Sequence, residues 1–185
     1  MDKVIKVGLI GFGAGGQTFH APILTTVTGL QLVKIRAAKP DQVAVAQAKY
    51  PQAEIVKTSE EIFTDKEIDL VVITTPNTSH YSLVTQALHA GKNVLIDKPF
   101  TITTKEADEL MALAVERKLV LSVYHSRRFD SDFKTVQKII KNNLLGDLVE
   151  IESRYDRFRN YLKENAWREE NTPGSGILYD LGSHL

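Results

Sequence analysis

Apolar residues come along this chain in short blocks with two rhythms. Val4–Ile10 is a brief apolar run that ends in glycines and reads as a first strand. Thr18 to about Thr28 reads as a helix in spite of Pro22, Gln31–Ala37 as a second strand, and Asp41–Lys49 as a helix rich in Ala, Val and Gln. Leu70–Thr74 (LVVIT) is a continuous, mostly β-branched run of the kind a sheet covers on both faces. His80–Ala90 carries Leu83, Val84, Ala87 and Leu88 at helical spacing, with Gly91 as its stop. Val94–Asp97 is the next strand. Thr103 and Glu106 form a capping box that opens a helix with Ala107, Leu110, Met111 and Ala114 on one stripe, and Leu119–Tyr124 is a further strand.

Strands alternating with helices predict an α/β fold, a doubly wound parallel sheet with right-handed crossovers. After about Val123 the rhythm changes. Phe133, Val136, Ile139 and Ile140 mark an amphipathic helix ending near Gly146, and Asp147–Arg159 alternates like a strand with one wet face. The expected organisation is a doubly wound α/β domain over residues 1–122 and the beginning of a second domain over 123–185. That second stretch is too short to close a core alone, and GILYDLGSHL carries no terminating signal, so the chain reads as a truncated piece.

Composition narrows the function. Lys+Arg and Asp+Glu both number 23, so the formal net charge is zero and nothing suggests a nucleic-acid binder. There is no cysteine, which excludes thiolate catalysis and cysteine-type zinc sites. No apolar run approaches the roughly 18 residues of a membrane span, and the N-terminus lacks a signal-peptide pattern. A cytoplasmic protein is expected, with no membrane partner and no metal site.

The candidate chemistry gathers at strand ends. Gly11, Gly13 and Gly16 form a G-x-G-x-x-G loop directly after the first strand, with Phe12 and Ala14 between them. Such glycines permit a tight turn, close approach of backbone to a pyrophosphate, and close helix–strand packing, and the following helix offers its N–H groups to phosphate. The alternative is an ordinary tight turn. The second strand ends in Lys34-Ile35-Arg36-Ala37-Ala38-Lys39 with no acid before Asp41, so the carboxylate that would bond an NAD ribose is missing. Arg36 and Lys39 suit a 2′-phosphate instead and favour NADP; two solvated bases beside an NAD ribose are the competing reading. Thr75, Pro76 and Asn77 follow the LVVIT strand, with His80 opening the next helix, and border the cofactor if ligands bind at the carboxyl ends of the strands. Turn chemistry and a helix cap explain the same residues. Asp97-Lys98-Pro99 places a charged pair where a core strand surfaces. A lysine there can bond a substrate oxygen and, if desolvated, trade protons; a surface ion pair with Asp97 is the bland alternative. Arg127 and Arg128 lie among aromatics after the Leu119–Tyr124 strand, suited to a phosphate or polyhydroxylated ligand or to a polar domain link. Asp180 and His184 stand four apart, as an acid–base unit or a helix-surface pair. His20 and His89 read as structural.

In combination GLIGFGAGG, TTPNTSHY, the DKP segment, SVYHSRRFDSDF and GSGILYDLGSHL resemble, in order and spacing over essentially the whole chain, the Gfo/Idh/MocA oxidoreductase family. The resemblance implies a Rossmann domain followed by an α+β domain built on a large, mostly antiparallel sheet through which members often form homo-oligomers. It implies a sugar or polyol substrate in the cleft between the domains. Lys98 matches the lysine of the family's E-K-P motif, with Asp97 in place of glutamate, and Asp180 and His184 match its D-x-x-x-H pair. On that analogy His184 takes the hydroxyl proton as hydride leaves for nicotinamide, Lys98 bonds the same oxygen, and Asp180 orients the substrate. The segments YDRFR and AWREE look like those of the NADP-dependent scyllo-inositol dehydrogenase branch, which puts Tyr155, Arg157 and Trp167 near substrate. It leaves NADP as the preferred cofactor, NAD as possible, and an inositol-like polyol as substrate. A non-catalytic dinucleotide-binding sensor is the alternative. It accounts for the glycine loop but needs neither Lys98 nor the Asp180/His184 pair.

Overall fold

The structure is a computed structural model and describes residues 3–156, 158–162, 166 and 169–184. Arg157 and Trp167, both expected near substrate, lie outside the described residues. The chain divides into two units, Met1–Val123 and Tyr124–Leu185.

The first unit is built on six strands, β1 (Ile5–Ile10), β2 (Leu30–Arg36), β3 (Glu54–Val56), β4 (Leu70–Ile73), β5 (Asn93–Asp97) and β6 (Leu121–Tyr124), in the sheet order β3-β2-β1-β4-β5-β6. The β1–β2, β1–β4, β2–β3 and β4–β5 ladders are all parallel. The order runs outward from β1 in both directions, so the chain switches sides between β1 and β4. In open sheets of this kind that switch point is where ligands bind.

Both faces of the sheet are covered, and alternate residues show it. Val7 and Leu9 of β1 join one core with Val72, Ala21, Leu24, Leu32, Ile35 and Ala46. Ile10, Val71 and Ile73 join the other with Val84, Leu88, Val94, Ile96 and Leu110. Each fully buried aliphatic side chain of this kind contributes about 1.5–3 kcal/mol. Five helices connect the strands: α1 (Ala21–Leu24), α2 (Pro40–Lys49), α3 (Glu60–Phe63), α4 (His80–His89) and α5 (Thr104–Arg117). The capping box is formed. Thr103 Oγ1 accepts from the Glu106 N–H at 3.2 Å, and Glu106 Oε2 accepts from the Thr103 N–H at 3.0 Å. Gly91 takes a φ of +75° just past α4.

Three expectations are corrected. The helix expected over Thr18–Thr28 is shifted: residues 14–24 are helical, wound as a π-turn over Gly16–His20 and as α1 beyond it, with Pro22 just past the π-turn. β3 and α3, unforeseen, complete the edge of the sheet. In the second unit the helix α6 (Ser131–Lys141) forms. The strand expected over Asp147–Arg159 does not: the described residues from 148 onward make no ladder, and Val149 and Phe158 are almost fully exposed. Alternation marks a strand's faces but does not supply the neighbour its N–H and C=O groups require. The same unit ends in α7 (Ile177–Leu181) and a 3₁₀ turn, Gly182–His184.

Candidate active site

The glycine loop is shaped by what lies beneath it. Gly11 has a φ of +98°, and a Cβ there would stand 3.0 Å from the Thr74 carbonyl. Thr74 secures the loop from the end of β4: its Oγ1 donates to the Gly11 carbonyl at 2.6 Å, and its N–H to the Ile10 carbonyl at 2.8 Å. At Gly16 a Cβ would meet the Gly11 carbonyl oxygen at 2.5 Å, so that glycine lets the helix return onto the strand end. Gly13 is different. A Cβ there would touch nothing within 4 Å, which leaves the crest of the loop open to a ligand. Phe12 points into the core, edge-on to Tyr50 with ring centroids 6.0 Å apart, so only its backbone is available to a cofactor. Ala14 is exposed where the helical stretch begins.

Around this loop stand the neighbouring strand ends. Arg36 terminates β2, its carbonyl accepting from the Gly11 N–H at 3.3 Å, and its Nε is buried with no hydrogen bond among the described residues. Lys39 is exposed at the start of α2. Thr75 shares a 2.7 Å hydrogen bond with Ser79, Pro76 is exposed and Asn77 is buried. His80 is buried, and its ring lies between two carbonyl oxygens, Nε2 2.9 Å from that of Thr75 and Nδ1 2.8 Å from that of Pro99, to one of which a neutral imidazole donates.

β5 delivers Asp97 and Lys98 to the same edge. Lys98 is half-buried, and its peptide bond to Pro99 is cis. The Asp97 carboxylate accepts from the Lys98 N–H at 2.8 Å, and its other oxygen lies 3.5 Å from His20 Nε2. Burial pushes the Asp97 carboxyl up. The His20 imidazole facing it, the Lys98 N–H and the Lys98 ammonium outweigh that and hold it below its ordinary value. A Cβ at Gly15 would come within 3.3 Å of Asp97 Oδ2, so the loop closes down on this carboxylate. Neither His20 nor Gly15 was singled out in the sequence as part of a site. The available signals were a doubled glycine and a histidine set in the otherwise apolar segment Phe19–Pro22.

In the second unit three expected residues come together. The Arg127 guanidinium sits 5.2 Å from the centroid of the Tyr155 ring, and Tyr155 stacks on His184 with centroids 6.1 Å apart. Arg127 also pairs with Asp130 at 3.0 Å. Asp180 is buried on α7, while His184 lies on the 3₁₀ turn beyond it, so the two do not share one unbroken α-turn.

The model of the oxidoreductase family with an NAD-binding Rossmann fold, GFO_IDH_MocA, matches residues 5–125, and that of the GFO/IDH/MocA C-terminal domain matches residues 133–185. The chain belongs to the Gfo/Idh/MocA oxidoreductase family. Among relatives of this Gfo/Idh/MocA chain, the uncharacterized oxidoreductase YdgJ of Escherichia coli K12 is 45% identical over 185 residues, 100% of this chain and 52% of that protein. The scyllo-inositol 2-dehydrogenase (NADP(+)) IolW of Bacillus subtilis 168 is 40% identical over 98% of this chain and 49% of its own length. Among solved structures, an NAD-binding protein from Listeria innocua superposes with a TM-score of 0.90 at 27% identity, covering 98% of this chain and 52% of that one. An oxidoreductase from Bacillus cereus gives 0.82 at 34%, covering 97% and 50%. The chain thus spans about half the length of the curated relatives it matches. The residues present fit the family's nicotinamide dinucleotide: the loop crest is open at Gly13, and at the end of β2 a buried guanidinium nitrogen has no acceptor among the described residues.

Proposed function

We propose that this chain is the cofactor-binding and lysine-bearing part of an NADP-dependent dehydrogenase acting on the CH–OH group of a sugar or inositol-like polyol. The observation that carries the reading is the placement of Lys98. β5 brings it to the sheet edge where the glycine loop opens, and Asp97 beside it lies against that loop at Gly15.

A bound nicotinamide supplies or accepts the hydride. The chain's own residues do the rest. The backbone of residues 11–16 and the N–H groups opening the helix hold pyrophosphate, with Thr75, Pro76 and Asn77 bordering it. Arg36 and Lys39 meet the 2′-phosphate, and the Arg36 Nε, with no acceptor among the described residues, supports NADP over NAD. In the oxidising direction a ring nitrogen of His184 takes the hydroxyl proton. The Lys98 ammonium donates a hydrogen bond to the same oxygen, stabilising the negative charge that grows there, and Asp180 orients the substrate. Tyr155, lying over His184, fixes the plane of that ring. The name of IolW, scyllo-inositol 2-dehydrogenase (NADP(+)), supports both the cofactor and the substrate class.

The test is kinetic, on a protein of the relatives' full length carrying this chain. Lys98→Ala and His184→Ala are each expected to lower kcat by roughly 10²–10⁴-fold. NADPH affinity should change little and should exceed NADH affinity. Undiminished turnover in either variant removes the role assigned to that residue, and tighter NADH binding removes the reading of Arg36.

A further inference from the structure

We infer that His20 and His80 are positioning residues for Lys98, two buried imidazoles that grip the Asp97–Lys98–Pro99 turn from opposite faces of the sheet. His20 rides on the helical stretch that follows the glycine loop, whose next residue, Ala21, packs in one core. His80 opens α4, whose Val84 and Leu88 pack in the other. Each is 2% exposed or less.

A histidine filling space in an apolar core is costly, because its ring nitrogens must be satisfied there. Here the contacts of both converge on one three-residue turn. His20 Nε2 faces the Asp97 carboxylate at 3.5 Å, an ion-pair distance without hydrogen-bond geometry. That carboxylate in turn accepts from the N–H of Lys98 itself at 2.8 Å. On the other side of the lysine, His80 Nδ1 reaches the Pro99 carbonyl at 2.8 Å and Phe100 at 3.3 Å. Its Nε2 reaches back to Thr75, on the loop after β4, at 2.9 Å. The peptide carrying Lys98 is therefore anchored before and after the residue. Its two anchors lead to the two loops, 11–16 and 74–77, that flank the switch point. Any movement of either loop on binding a dinucleotide reaches Lys98 through an imidazole. Neither histidine is needed to touch a ligand for this.

The inference rests on Lys98 as the functional lysine, so its readout is the placement of that amine and not turnover. The 185-residue chain is treated with a small N-hydroxysuccinimide acetate, and the acylation rate of each lysine is followed by mass spectrometry. In His20→Asn and in His80→Leu, Lys98 is expected to react faster by on the order of threefold or more, as a locally released turn would. Lys92 serves as the control, because its amine is buried on the Asp65 and Ile68 carbonyls and its rate should not change. His80→Gln, which keeps an N–H donor, should restore part of the original rate. In an Asp97→Asn background, His20→Asn should add nothing further while His80→Leu still acts.

An unchanged Lys98 rate overturns the inference. So does an equal rise at Lys92, which would mark general loosening. Should a variant fail to fold, nitrogen NMR of the unaltered chain decides. A proton on His20 Nε2, aimed at Asp97, is expected, and a bare Nε2 overturns it. The dehydrogenase reading fails separately, through full turnover of Lys98→Ala.

Discussion

A methyl group added at Gly16 would stand 2.5 Å from the Gly11 carbonyl oxygen, and one added at Gly11 would crowd Thr74 at 3.0 Å on a backbone with φ of +98°. At Gly13 it would meet nothing. These differences separate a folding requirement from a binding requirement within one motif. Gly11→Ala and Gly16→Ala are expected to cost about 1–3 kcal/mol each through strain and overlap. Gly13→Ala should leave the thermal midpoint nearly unchanged and weaken NADPH binding by at least about tenfold, since the methyl occupies the space a pyrophosphate needs. Melts and titrations of the three variants check this, and unaltered NADPH affinity in Gly13→Ala would remove the loop as the phosphate seat. The glycine spacing was legible in the sequence because the strand, loop and helix that give it meaning are consecutive. His20 was not. The carboxylate it faces belongs to β5, and nothing local to His20 distinguishes it from a core histidine.

The elements are joined by charge at the turn leading into β4. Asp69 accepts from the Lys3 ammonium at 2.5 Å and from the Lys6 N–H at 3.0 Å, tying β4 to β1. Asp65 pairs with Lys34 of β2 at 2.9 Å. The Lys34 and Lys3 hydrogen bonds hold the Asp65 and Asp69 carboxyls, respectively, below their ordinary values, and the hydrogen bond that Lys34 donates to Asp65 raises Lys34. A depressed carboxyl contributes stability that is present above its unfolded pKa and is lost as pH falls through the folded value. The raised lysine contributes stability that is present below its unfolded pKa and is lost as pH rises through the folded one. From these groups the thermal midpoint should be level between about pH 5 and pH 9 and should fall on either side. Asp69→Asn should lower stability at neutral pH by at most about 1 kcal/mol, because Lys3 is largely in water, and should flatten the acid limb. A steep acid limb that survives both Asp69→Asn and Asp65→Asn would locate the acid sensitivity elsewhere. At this scale the sequence disclosed the long elements and missed the short ones. β3, Glu54–Val56, is three residues, too few to reveal a period of two, and α3 is a single turn. The strand expected over 147–159 had the right alternation, but pairing depends on a neighbour that local pattern does not encode. The π-turn at Gly16–His20 left no pattern that could be read.

At the scale of the molecule, stability is unevenly distributed. Among the described residues, every buried apolar side chain but Leu181 lies in Met1–Val123, in two cores on the two faces of one sheet. The second unit instead exposes Leu144, Leu145, Val149, Ile151, Phe158 and Leu162. The parallel sheet was legible from alternating strand and helix rhythms. Its order follows from connection rules, which explains why the strand ends carrying Gly11, Thr75 and Lys98 could be expected at one edge. A chain of residues 1–125 should therefore melt cooperatively within a few degrees of the 185-residue chain, because removing residues 126–185 deletes almost none of the buried apolar surface. It should bind NADPH with the same affinity, since loop, Arg36 and the strand ends remain together. It should also sediment as a monomer where the longer chain self-associates with rising concentration through its uncovered apolar side chains. Calorimetry, NADPH titration and sedimentation of the two chains side by side measure all three. A broad, non-cooperative melt of residues 1–125 would mean that the second unit supports the first, and that the sheet with its two cores is not the independent folding unit its burial describes.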